Sequence, residues 1–176
     1  MPDQIRDQKE ALAAAIEMEK QGQTFYKTTA GKTKDKMTKS VFEFLSNEEL
    51  KHIDAIKVFY DAEMAGEDID FGSIISDSKN VAAKKAIGKL FRGLDQKAPV
   101  DKPDLEAYKF ARDFEKNGER FYRQALDKST DPEVKKLFSF LVEEEKRHFQ
   151  MIDDSLAFLE DPAEWFHRRE KWHVEG

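Results

Sequence analysis

Two stretches of this chain occur twice, and the spacing between the copies constrains the fold more than any other feature. AIEMEKQGQTFY at 15–26 recurs as ARDFEKNGERFY at 111–122, and FEFLSNEELKHIDAI at 42–56 recurs as FSFLVEEEKRHFQMI at 138–152, both 96 positions later. Neither half of the repeat needs a gap relative to the other, so each copy holds two segments of matching length joined by a short turn. The three-and-four spacing of apolar residues makes that unit a helical hairpin. One hairpin cannot bury its apolar stripe alone, and two copies packed together make a four-helix bundle with an approximate twofold axis. The predicted class is all-α, in a single domain over residues 1–176.

Glycine and proline set the expected boundaries: hairpins at 3–65 and 104–160, a crossover at 66–103 and a tail at 161–176. The first helix is expected from about residue 3 to 30, ending near Gly31, and the second from about 35 to 65, ending at Gly66, with Asp35 as a cap. The third follows Pro103. Thr130-Asp131-Pro132-Glu133 fits a capping box with proline in the first turn of the fourth. A long central crossover lets such a bundle depart from up-down-up-down order. Within it, Lys79 to Leu94 reads as an amphipathic helix, with Ile87, Leu90, Phe91 and Leu94 on one face and Lys84, Lys85, Lys89 and Arg92 around it. It is either a lid with a solvated basic face or a surface for a membrane or partner. The tail predicts a short helix starting at Pro162, whose Trp165, Phe166 and Trp172 dock on the end of the bundle or on another subunit. His167 and His173 share no helical face and read as surface or packing residues.

The inward stripes carry charge. The second helix aligns Phe42, Leu45, Glu49, His52, Ile56 and Phe59, and the fourth aligns Phe138, Leu141, Glu145, His148 and Ile152. The first aligns Leu12, Ala15, Glu19, Gly22 and Tyr26, and the third Tyr108, Ala111, Glu115, Gly118 and Tyr122. Each helix thus turns one glutamate toward the seam. Burying four carboxylates costs on the order of several kcal/mol each unless something compensates. Two divalent cations do so, because their charge equals that of four carboxylates. The expected arrangement has Glu49 and Glu145 bridging two metals, Glu19 and Glu115 each binding one, and His52 and His148 completing the two ends. Oxygen donors with one imidazole per metal favour iron or manganese. The absence of cysteine excludes thiolate zinc, disulfides and any iron–sulfur centre on this chain. A net charge of −6 argues against a wholesale nucleic-acid-binding surface. The charged N-terminal stretch and short apolar runs contain no readable signal peptide or membrane span, so a cytoplasmic location is expected.

The E-x-x-G-x-x-F-Y of Glu19 to Tyr26 and of Glu115 to Tyr122, each followed by Glu-x-x-His, resembles the rubrerythrin and bacterioferritin branch of the ferritin-like superfamily over residues 9–160. The resemblance implies a di-iron carboxylate centre that reacts with dioxygen or hydrogen peroxide, with Tyr26 and Tyr122 beside the ligands. Departures shape what carries over. Full rubrerythrins end in a rubredoxin-like iron–sulfur domain, which a cysteine-free chain of this length cannot form, so electrons would come from another protein. The additional carboxylate that rubrerythrins place one turn after the third-helix glutamate is Gly118 here, leaving a six-ligand site closer to bacterioferritin. Leu50 stands where bacterioferritin has its haem-binding methionine, so no haem is expected. Gly22 and Gly118 either make room beside the ligands or for a small oxidant, or serve close helix contact. The expected function is a rubrerythrin-like oxidoreductase with an external electron donor, its oligomeric state open to a homodimer. The alternatives are an iron-oxidising storage protein and a bundle without metal chemistry.

Overall fold

The structure, a computed structural model, describes residues 7–75 and 101–174, with side chains through residue 170 in the last helix. All regular structure among these residues is helical: α1 (Gln8–Lys32), α2 (Lys36–Ala65), α3 (Phe71–Ile75), α4 (Lys102–Lys128), α5 (Pro132–Glu160) and α6 (Pro162–Val174). The amphipathic segment expected at Lys79 to Leu94 and the side chains of Trp172 and His173 lie outside the described residues.

Capping chemistry sets most ends. Asp7 accepts a hydrogen bond from the Glu10 amide at 2.8 Å and starts α1 later than the residue 3 expected. α1 runs through Gly31 to Lys32 and closes at the extended Thr33, so this glycine is not a stop signal. Asp35 caps α2 through the Thr38 amide, and Gly66 ends it with φ 67°, a conformation that only a residue without Cβ adopts freely. α5 starts as the proline predicts, but the capping box does not form. Asp131, one residue after Thr130, accepts from the amides of Glu133 and Val134. Glu133 instead accepts the Phe71 amide at 2.8 Å and ties α3 to the start of α5.

Polar contacts at the ends fix the helix directions. Gln8 at the start of α1 bonds Glu63 near the end of α2 and the Asp131 amide at the start of α5, which gathers these three at one end. At the other end Thr33, after α1, bonds Asp104 in the first turn of α4. The order is therefore up, down, down, up, as the long crossover allows. The core divides into two apolar clusters. Leu12, Ile56, Phe59, Tyr122, Phe138 and Leu141 fill one end, and Tyr26, Phe42, Leu45, Tyr108, Ile152 and Trp165 fill the other. Each large side chain contributes about 1.5–3 kcal/mol by leaving water. Trp165 packs edge-on against Phe158 and takes Arg169 over its ring at 4.4 Å, so α6 covers the end of its own bundle. His167 is exposed, as its position predicts.

Candidate metal centre

Between the two apolar clusters lies a layer of charge. Glu19 on α1, Glu49 and His52 on α2, Glu115 on α4, and Glu145 and His148 on α5 are all at most 3% exposed. The helical period explains the placement: a residue and its neighbour three positions on share one face, so each Glu-x-x-His presents both side chains to the seam. All six positions expected from the sequence converge. Glu19, Glu49, His52 and Glu145 offer ligand atoms within 4.8 Å of one another, and so do Glu49, Glu115, Glu145 and His148. Glu49 and Glu145 belong to both groups. Nδ1 of His52 lies 3.2 Å from Glu19 and 3.8 Å from Glu49, and Nδ1 of His148 lies 3.3 Å from Glu49 and 3.5 Å from Glu115.

The tyrosines cross between hairpins. Tyr26 of the first donates its hydroxyl to Oε1 of Glu115 in the second, and Tyr122 of the second donates to Oε1 of Glu19 in the first. Burial and the adjacent carboxylates, Glu115 for Tyr26 and Glu19 for Tyr122, push both phenols well above their ordinary range, so they remain protonated donors.

Without a counter-cation this layer is electrostatically frustrated. Burial raises Glu49 well above the usual carboxylate range and Glu19 adds to it; burial and then Glu115 do the same for Glu145. Burial opposes a charge on His52, yet Glu19 and Glu144 carry it up to about 10. His148 is raised against the same burial by Glu115. These shifts on Glu49, Glu145, His52 and His148 all favour less negative charge in the layer, the direction in which a bound cation acts. Six of the eight buried side-chain polar atoms without a hydrogen-bond partner among the described residues belong to it, on Glu49, His52, Glu115, Glu145 and His148. Hard oxygen donors, two imidazoles and unpaired atoms on Glu49, Glu115, Glu145 and Nδ1 of His148 fit a pair of divalent cations.

A model of the rubrerythrin family matches residues 10–156. The chain belongs to the rubrerythrin family. Its bundle is accordingly the ferritin-like fold of that superfamily, and a buried glutamate and histidine cluster able to hold metal is what the family leads one to seek. No curated protein and no solved structure matches the chain.

The two glycines on the inward stripes resolve differently. A Cβ on Gly118 would stand 2.5 Å from Oε2 of Glu145, so this glycine makes room for a carboxylate of the centre. A Cβ on Gly22 would stand 2.8 Å from the Phe114 ring and 3.6 Å from the carboxyl carbon of Glu49, which is chiefly close helix contact. Two further acids escaped the stripe pattern. Glu144 and Glu48 are buried one residue before Glu145 and Glu49, and pair with Arg147 at 2.6 Å and Lys51 at 2.5 Å. Both occupy equivalent repeat positions, a signal that lies outside the inward stripes. They line, with Lys51, His52, Ile74, Ile75 and Phe140, a surface groove of about 470 Å³ that reaches His52.

Proposed function

We propose that the chain is a cytoplasmic, non-haem di-iron oxidoreductase that reduces hydrogen peroxide or dioxygen with electrons from an external donor protein. The observation that carries this reading is the pair of four-residue groups sharing Glu49 and Glu145. In it Glu19 and His52 serve one metal position, Glu115 and His148 the other, and Glu49 and Glu145 span both. Two ferrous ions, or manganese held by the same donors, would supply the redox chemistry, two electrons per oxidant.

The residues of the chain do the rest. The apolar clusters on either side keep bulk water from the charged layer and hold its dielectric low. Tyr26 and Tyr122 each hold one oxygen of a terminal glutamate and leave the other oxygen for a ligand bond. Gly118 leaves room for the Glu145 carboxylate where a larger residue would displace it. The groove beside His52 is large enough for a small oxidant. Peroxide that accepts two electrons and two protons leaves as water, and in this reading an external donor protein supplies the electrons, since these residues include no cysteine to hold an iron–sulfur relay. Among the described residues no helix is long and apolar enough to cross a membrane. A homodimer is the proposed assembly.

Protein purified without air and loaded with ferrous iron, then mixed with peroxide or dioxygen in a stopped-flow spectrometer, tests the proposal. The expected result is about two irons per chain, oxidised rapidly by peroxide and slowly by dioxygen. Uptake of many irons by a large hollow assembly would replace it with a storage function.

A further inference from the structure

A metal-ligating imidazole spends one ring nitrogen on the metal, and the acceptor of its other N–H fixes the ring and its tautomer. The His52 and His148 rings lie stacked, centroids 5.3 Å apart and 18° from parallel. Their Nδ1 atoms face the carboxylate layer at the distances given above, which leaves the Nε2 atoms on the far edges of the rings. Both Nε2 atoms are buried without a hydrogen-bond partner among the described residues. Glu144 places a carboxylate at the His52 edge and near the His148 ring. Its Oε2 lies 3.9 Å from Nε2 of His52, and with His52 and His148 it forms a third group whose ligand atoms all lie within 4.8 Å.

We infer that Glu144 is a positioning residue for both histidines, one carboxylate accepting the Nε2–H that each ring retains when Nδ1 is turned to a metal. The 3.9 Å gap is one that a small side-chain rotation or a single bridging water closes. Arg147 holds Oε1 of Glu144 at 2.6 Å, so the carboxylate is anchored from the solvent side while Oε2 faces the rings. A third cation in the same place is the poorer use of these atoms, since both rings would have to give up their last proton to bind metal on each edge. The twofold mate does not repeat the arrangement. Glu48 pairs with Lys51 and belongs to none of the three groups.

The inference rests on the di-metal proposal, and cobalt(II) titration of the metal-free protein, followed by calorimetry and visible absorption, separates the two. Cobalt(II) is used because its absorption reports ligand geometry. Glu144→Ala is expected to bind roughly 10- to 100-fold more weakly at both positions, the usual cost of removing an outer partner of a ligand, with a changed spectrum and an unchanged helical melting profile before metal is added. Glu144→Gln has one acceptor oxygen where glutamate has two and cannot serve Arg147 and the rings together, so it falls between parent and alanine; it decides the matter if the alanine variant does not fold. Glu48→Ala binds as the parent does. Parental binding and spectrum in the Glu144 variants, loss at one position alone, or an equal loss in Glu48→Ala would overturn the inference while leaving the di-metal proposal standing. A parent protein that binds no cobalt would overturn both.

Discussion

In the first hairpin Glu19 meets its histidine at 3.2 Å, Gly22 abuts a phenylalanine and Glu48 turns to Lys51; in the second Glu115 meets its histidine at 3.5 Å, Gly118 abuts Glu145 and Glu144 turns toward His52. The ligand types are the same and the surroundings are not. A twofold repeat therefore sets which atoms converge, while the residues one step outside set how freely each can move. Such a centre has two inequivalent halves despite its matched donors, and the inequivalence lies in packing and in hydrogen bonds rather than in the ligand count.

The sharpest way to break the comparison is to remove shared against unshared acids. Glu49→Ala or Glu145→Ala should lose metal from both positions, whereas Glu19→Ala or Glu115→Ala should keep one, as read by elemental analysis after dialysis against buffer. Two metals retained in Glu49→Ala would mean that the halves do not share it. A smaller effect separates the glycines. Gly118→Ala should fold but bind metal at least about tenfold more weakly, because its methyl group displaces a carboxylate of the centre. Gly22→Ala should keep parental affinity, with the displacement of the half-buried Phe114 ring offset by the gain of about 1 kcal/mol that alanine has over glycine in a helix. The smallest effect probes the crossed phenols. Tyr26→Phe and Tyr122→Phe should each destabilise the metal-free fold by about 1–3 kcal/mol in urea unfolding, the cost of leaving a buried acceptor unpaired. The first should perturb the metal position served by Glu115 and the second that served by Glu19, which is the reverse of what a contact within each hairpin predicts.

Architecture and donor positions were legible because both follow from period. A repeat without gaps implies paired hairpins, and a glutamate or histidine at steps of three and four must face the seam. What period does not carry was missed. Glu144 lies about 100° around α5 from Glu145, off the stripe, and its role depends on a neighbouring helix bringing His52 to it. The capping box failed for a similar reason: Asp131 outcompetes Thr130 for the free amides, and a distant partner, the Phe71 amide, claims Glu133. Gly31 looked like a terminus because glycine so often ends a helix, but here Thr33 takes the turn in an extended conformation and the glycine stays helical. Gly22 and Gly118 could not be told apart before the opposite helices were in place.

The crossed phenols carry a consequence for how such a chain can change over generations. Neither hairpin can finish its own half, since each reserves a hydroxyl for the carboxylate opposite. Were the two hairpins separate copies of one short polypeptide, every substitution would land twice and any gain on one side would be imposed on the other. Joined in a single polypeptide, each substitution lands once. Divergence between the surroundings of Glu48 and of Glu144, or between the neighbours of Gly22 and Gly118, is the liberty that covalent fusion grants to an inherited symmetry.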